Sequence, residues 1–210
     1  DLDLVAGNMD QPTGQANRLY LNNGTPGPFD DISGSDITTN AHDTSAVALG
    51  DLNGDGALDI VAGNINGSNY QYLNNGSPNP FNGTSGSDIT ADVYNTRAVV
   101  LGDVNRDGNP DLVAGNYGEA NRIYLNDGVG DPFDGAPSGD ITTDAHDTTS
   151  IALGDMDGDG VLDVVVGNYE QANRLYILAG ATVSGSDVTA DTGPTTSIAL
   201  GDVDRDGDLD

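Results

Sequence analysis

The sequence predicts an all-β fold of tandem four-stranded antiparallel β-sheet repeats, either β-propeller blades or a segment of a longer repeat array. Three observations predict it. Apolar residues fall in short runs such as IVAGN and VALGD, turn residues (Gly, Asn, Pro) separate the runs, and the pattern recurs at a step of 52 residues. With 36% hydrophobic and 5% aromatic residues against 30 glycines, the chain suits many short strands better than amphipathic helices.

Three markers carry the repeat. Leu49-Gly50-Asp51, Leu101-Gly102-Asp103, Leu153-Gly154-Asp155 and Leu200-Gly201-Asp202 follow at steps of 52, 52 and 47 residues. Tyr20, Tyr72, Tyr124 and Tyr176 keep a step of 52, as do Phe29, Phe81 and Phe133, and the last unit has no Phe. These markers divide the chain into repeats 1–56, 57–108, 109–160 and 161–210. Unit one carries a four-residue insertion between Asn8 and Asn17, and in unit four ILAGATV replaces LNNG…PF, a five-residue deletion. Such length changes belong in surface loops.

Within a unit the strands read in order as LDIVAGN, NRLYLNN, a short SDIT, and TSAVALGD running into an Asp-rich loop. The intervening Gly, Asn and Pro predict tight turns and an antiparallel meander. In TSIALGD, Ile151 and Leu153 face one way and Ala152 and Gly154 the other, because side chains alternate along a strand. The small face lets a neighbouring sheet approach closely, as the crowded interior of a propeller requires.

Charge narrows the function. Thirty-four acidic against six basic residues give a net charge of −28, which argues against a nucleic-acid partner and calls for cations in a compact state. Disorder or general surface acidity would scatter or block the acids, whereas here they recur at fixed spacing beside apolar strands. Only Glu119 and Glu170 are Glu; the other acids are Asp, the shorter carboxylate suited to tight loops. Without Cys there are no disulfides or thiolate metals, and no stretch approaches the ~20 apolar residues of a membrane span.

The Asp-rich loops DLNGDGALD, DVNRDGNPD, DMDGDGVLD and DVDRDGDLD all obey D-x-[DN]-x-D-G-x-x-D. Oxygens at positions 1, 3 and 5 can converge on one cation, Gly at position 6 permits the sharp turn, position 7 adds a backbone carbonyl and position 9 a closing Asp. The candidate ligands are Asp51, Asn53, Asp55, Ala57 and Asp59 in the first loop, and Asp103, Asn105, Asp107, Asn109 and Asp111 in the second. In the third they are Asp155, Asp157, Asp159, Val161 and Asp163, and in the fourth Asp202, Asp204, Asp206, Asp208 and Asp210. An EF-hand shares the first six positions but needs a bidentate Glu at position 12, where this chain has Ala62, Ala114 or Val166, and it needs flanking helices. A plain Asx turn explains any single DG but not four copies that keep the ninth Asp. Hard oxygen donors without His or Cys select calcium, about one Ca2+ per complete loop. Carboxylates ~4 Å apart repel by ~1 kcal/mol in water and ~4 kcal/mol at an effective dielectric of ~20, so a loop of four Asp should splay open without its cation.

The string GDLNGDGALDIVAGN, followed by YLNNG and PF, is similar to the FG-GAP and VCBS-type repeats of bacterial surface proteins and integrin α-chain heads, and the resemblance covers essentially the whole chain. It implies one β-propeller blade per repeat, with a calcium-binding loop between adjacent strands and side-chain ligands at positions 1, 3, 5 and 9. In such propellers ligand specificity lies in variable loops, so the resemblance names no ligand.

Other polar residues repeat in ways that favour structure over catalysis. His42 and His146 occupy equivalent places, which Asp92-Val93-Tyr94 replaces in unit two, and unit four has no His. A catalytic His should appear once beside a nucleophile. Arg18, Arg122 and Arg174 precede the repeated Tyr, with Tyr70 in their place in unit two, and are expected to pair with nearby Asp. The acids of SDITTN, SDITAD, GDITTD and SDVTAD recur in every unit, which predicts turns or a weak second cation site rather than glycosidase carboxylates. Sequons occur at Asn23, Asn66, Asn75 and Asn82.

The chain therefore reads as a non-enzyme. The expected function is an extracellular or cell-surface, calcium-stabilised scaffold with a structural or adhesive role, partnered by further repeats of the same chain or by neighbouring copies. The alternative is a propeller module that binds carbohydrate or a cell-surface protein through variable loops such as Met9 to Ala16. Asp1-Leu2-Asp3 matches Ala57-Leu58-Asp59 and Asp208-Leu209-Asp210, so the chain begins and ends at one phase of the repeat, and a window on a longer array or surface fibre is expected.

Overall fold

The computed structural model describes residues 2–9, 14–180 and 182–210, in which every regular element is a strand. In chain order these are β1 (Leu4–Ala6), β2 (Arg18–Tyr20), β3 (Ser35–Asp36), β4 (Thr44–Gly50), β5 (Asp59–Gly67), β6 (Tyr70–Tyr72) and β7 (Ser87–Asp88). They continue with β8 (Tyr94–Gly102), β9 (Asp111–Tyr124), β10 (Ser138–Gly154), β11 (Asp163–Asn168), β12 (Arg174–Ala179) and β13 (Thr182–Asp187). Part of the unit-one insertion, residues 10–13, lies outside the described residues.

Three four-stranded antiparallel sheets form the body. The first pairs β4, β5, β6 and β7 in sequence order. The second pairs β8 with the first half of β9, and the second half of β9 with the start of β10. β9 folds back on itself between these halves: Asp111 Oδ1 accepts the Asn126 N–H at 2.9 Å, whereas a straight strand of 14 residues would span ~46 Å. The third pairs the end of β10 with β11, then β12 and β13. Ahead of them β1, β2 and β3 form a three-stranded sheet. After them the Thr195 N–H donates to the Asn168 carbonyl (3.0 Å), laying the last TTSIALG segment beside the third sheet. Among the described residues no strand pairing joins β1–β3 to β11–β13.

The meander thus holds for three strands of each unit, and the fourth crosses over. TSAVALG pairs with DIVAGN of the next unit, register Gly50↔Asp59 to Thr44↔Asn64, and not with the SDIT before it. The Asp-rich loop is short and internally hydrogen-bonded, so it closes a hairpin between its own flanks. Residues 37–43 instead carry the chain from the last strand of one sheet to the first strand of the next. Each four-stranded sheet therefore spans a junction between sequence repeats.

Adjacent sheets interlock through the alternation of large and small residues in LGD. A Cβ added to Gly102 would lie 2.7 Å from Leu153 Cδ1 and 2.9 Å from Leu162 Cδ1, and one added to Gly154 would lie 2.8 Å from Leu200 and Leu209. Only glycine admits those leucines. Around these contacts lie three apolar clusters, the middle one joining Leu52, Val61, Ile89, Leu112, Tyr124 and Phe133. Beneath them runs a buried polar frame. Thr96 Oγ1 donates to Asn116 Oδ1 (2.9 Å), Asn116 Nδ2 to the Ala120 carbonyl (2.7 Å), and the Asn116 N–H to Asn121 Oδ1 (2.8 Å). Thr44, Asn64 and Asn69 repeat it, as do Thr148, Asn168 and Asn173. These bonds matter because a buried polar group left unpaired costs ~1–3 kcal/mol.

Candidate metal centres

Each Asp-rich loop is shaped by its own side chains. In the second, Asp103 Oδ1 accepts the Asp107 N–H (3.1 Å), Asp103 Oδ2 the Gly108 N–H (2.9 Å) and Asp107 Oδ1 the Asn109 N–H (2.9 Å). The first loop repeats this from Asp51, with the Ala57 N–H on Asp55 Oδ1. In the third, Asp155 holds the Gly158 and Gly160 N–H groups (both 2.8 Å), and Asp159 Oδ1 holds that of Val161 (2.7 Å). In the fourth, Asp202 Oδ2 takes the Gly207 N–H (3.1 Å) and Asp206 Oδ1 that of Asp208 (3.0 Å). The position-6 glycines have φ of 87°, 94°, 81° and 100°, a backbone that L side chains rarely adopt.

The loops differ in how their charge is met. Asn53 Nδ2 donates to Asp55 Oδ2 (3.1 Å) and Asn105 Nδ2 to Asp107 Oδ2 (2.9 Å), so in the first two loops an amide faces a carboxylate. In the third, carboxylate oxygens of Asp155, Asp157 and Asp159 lie within 4.8 Å of one another, and in the fourth those of Asp202, Asp204 and Asp210 do so. Donors ~2.4 Å from one ion can be at most ~4.8 Å apart, a limit that both oxygen sets meet.

The ninth position has a second task. Asp59, Asp111 and Asp163 are fully buried, and both oxygens of each hold backbone N–H groups. Asp111 takes those of Val104 (3.0 Å) and Asn126 (2.9 Å), Asp59 those of Leu52 and Asn74, and Asp163 those of Met156 and Leu178. Asp210 holds the Val203 N–H at 2.9 Å. Burial pushes the Asp111 carboxyl up to about 6; the two N–H bonds pull the other way, and Asp107 and Asp103 add to the rise. Asp59 is raised for the same reasons. Asp163 does not belong to the carboxylate cluster of its loop, which joins Asp155, Asp157 and Asp159.

A model of the FG-GAP-like repeat matches this chain four times, over residues 1–62, 51–114, 103–166 and 155–210. The chain belongs to the FG-GAP-like repeat family. Three of the four matched windows open on position 1 of an Asp-rich loop, at Asp51, Asp103 and Asp155, and run beyond the start of the next. The chain is also similar to cartilage acidic protein 1 of Mus musculus, 31% identical over 136 residues, which is 62% of this chain and 21% of the relative. The same protein of Xenopus tropicalis is 38% identical over 80 residues, 38% of this chain and 12% of the relative. That of Homo sapiens is 33% identical over 79 residues, again 38% and 12%. The chain thus spans about a fifth or less of these relatives' length.

Within this FG-GAP-like framework the repeated arginines pair as expected. Arg18 meets Asp36 at 2.8 Å, Arg122 meets Asp140 at 2.7 Å and Asp92 at 3.2 Å, and Arg174 meets Asp187 and Asp144 at 2.7 Å each. The SDIT-type acids Asp36, Asp140 and Asp187 are therefore partners of arginine, while Asp88, in the unit with Tyr70 in place of Arg, hydrogen-bonds Tyr70. His42 packs its ring on Tyr70, 4.3 Å between centroids. Loop two also reaches loop three: Arg106 donates to the Asp159 and Gly160 carbonyls and lies 3.5 Å from Asp159 Oδ1.

Two sets of asparagines escaped the reading of the sequence. Asn126 donates its N–H to Asp111 and its Nδ2 to the Pro110 carbonyl (3.0 Å) and to the Leu52 carbonyl (2.9 Å) of the preceding loop. Asn74 and Asn22 make the corresponding bonds to Asp59 and Asp3. Their signal was a constant place two residues after the repeated Tyr. The other set, Asn64, Asn116 and Asn168, ends the runs that follow the first three Asp-rich loops and is buried in the polar frame between sheets.

Proposed function

We propose that the chain is an extracellular, calcium-stabilised repeat scaffold with a structural or adhesive role, forming part of a longer array or surface fibre. The observation that carries this reading is the convergence of Asp155, Asp157 and Asp159 oxygens within 4.8 Å, inside a loop type that recurs four times in a chain of net charge −28. When bound, calcium supplies the positive charge that offsets these carboxylates. The chain's own residues do the rest: position 1 holds the turn through backbone N–H groups, positions 3 and 5 face the ion, and position 9 ties the loop to the adjoining strand.

The reading is non-catalytic, since His42 packs on Tyr70 and the repeated arginines belong to ion pairs. The printed name of the relatives attaches them to cartilage and calls them acidic, which accords with an extracellular setting and with this composition. Among the described residues no helix is long and apolar enough to cross a membrane. Calorimetric titration of chelator-treated protein with calcium tests the proposal: about one ion per complete loop is expected, and no heat at millimolar calcium would overturn it.

A second reading, a module that binds another protein, is favoured by a cavity between two of the sheets.

A further inference from the structure

The seam between the second and third four-stranded sheets contains a cavity of about 640 Å³, within the ~300–1,000 Å³ typical of ligand sites. Its apolar wall includes Val104, Leu125, Ile141, Val161, Leu178 and Val183. One repeat earlier, Leu52, Leu73 and Ile89 stand where Val104, Leu125 and Ile141 stand here, and there the space is filled by Phe133, only 2% exposed. Phe81 is likewise buried in the cluster before that one. Phe133 closes the segment NDGVGDPF. Unit four reads LAG at the place of NDG and then lacks the counterpart of VGDPF. The cavity is the seat of a missing aromatic plug.

Two substitutions reshape the seat. Ile123 replaces Gln71, whose Nε2 holds Asp131 of the plug in the earlier seam, and Leu178 replaces the buried Asn126. The wall has thereby become more apolar. At the rim Arg106 stands where unit one has Gly54, and its guanidinium is held by the Asp159 and Gly160 carbonyls, with Asp140 and Asp159 also lining the cavity. Beside the cavity β13 is the last strand of its sheet, exposed along its whole length, so an extended backbone can lie against it.

We propose that this cavity is a docking site for a peptide segment of a partner protein that inserts an aromatic side chain following Pro. This is the Pro-Phe chemistry that the preceding seam receives from its own chain. The inference rests on the packing of the seam; because Asn105, Asp159 and Val161 of the candidate calcium loops also line the cavity, the test is made with calcium present.

The probe is the synthetic peptide NDGVGDPFDGA, residues 126–136 of this chain, titrated calorimetrically into the intact protein in calcium-containing buffer. One-to-one binding is expected, weakened at least about tenfold when the peptide's Phe is replaced by Ala. Inserting VGDPF after Gly180 should fill the cavity in cis, raise the melting temperature and abolish peptide binding. Val183→Trp, at a partly exposed wall position, should weaken binding at least about tenfold and decides the matter if the insertion fails to fold. The proposal is overturned if no heat appears at millimolar peptide, if the Phe→Ala peptide binds equally, if the filled variants bind as wild type does, or if phenol alone binds as tightly as the peptide. Self-association of the protein that the peptide competes away would support the site and identify a second copy as its partner.

Discussion

The Asp-rich rim and the seam between sheets lie a few residues apart on the same strands, yet opposite forces hold them. Leu153 packs against the bare backbone of Gly102 in the preceding sheet; two residues later Asp155 begins a trio of carboxylates within 4.8 Å. The seam closes on itself through apolar contact and through neutral hydrogen bonds such as Thr96 to Asn116. The rim concentrates like charges that only a cation or a proton can relieve. Stability of each repeat should therefore be conditional at one end and unconditional at the other.

The largest effect should come from chelation. A ligand at 100 times its dissociation constant adds ~2.7 kcal/mol per site, so four filled loops would add ~11 kcal/mol, comparable to the ~5–15 kcal/mol of a whole domain. Thermal melts with excess chelator should show a collapse of the melting temperature. An unchanged curve would mean that the rim stands without cations and the contrast with the seam is false.

On the seam side, Phe133→Ala should cost ~3–5 kcal/mol by emptying the space that Phe133 fills. Denaturant melts should give the same loss at saturating and at limiting calcium. A loss that disappears with calcium would couple seam to rim and break the distinction.

Asp111 sits where the two regions meet. Its folded-state pKa of about 6 lies above the ordinary 3.8, because burial disfavours the charged form. The metal-free chain should have the full benefit of its protonation below about pH 4 and lose it as pH rises through about 6, a change on the order of 3 kcal/mol. Calcium, which needs the carboxylate, should bind more weakly as pH falls through the same window. Carbon-detected NMR titration of the metal-free protein reads the midpoint directly, and a midpoint below 4 would remove this link.

The smallest structural effect belongs to the arginine partners. Asp140→Ala breaks a half-exposed pair with Arg122, worth about 1 kcal/mol or less, and should leave every calcium site intact. Asp155→Ala or Asp159→Ala should each delete one site in a calorimetric titration. Equal loss from Asp140→Ala would move the coordination away from the Asp-rich loops.

Much of this was legible in one dimension. Alternation in TSIALGD placed Leu153 and Gly154 on opposite faces, and the contacts of Leu153 with Gly102 and of Gly154 with Leu200 follow that division. The arginine pairs were legible because Arg and Asp recur at an offset of 18 residues, shortened to 13 in unit four by its deletion. The crossing of TSAVALG to the next unit was not, since a short strand carries no mark of which edge it will join. Nor was the double hydrogen-bonding of Asp111, which depends on Asn126 arriving from another strand.

By itself the sequence determined which residues are equivalent: steps of 52 residues, and 47 for the last LGD, assign the marker Asp, Tyr, Phe and Gly residues to places in a unit, because strand alternation and turn chemistry act over a few residues. Only the tertiary structure decided what those places touch. That Phe133 fills the seam behind Leu52 and Ile89, while the deletion in unit four leaves a cavity beside Val104 and Ile141, depends on the stacking of whole sheets. Packing between sheets joins residues tens of positions apart, and no local pattern encodes the distance between them.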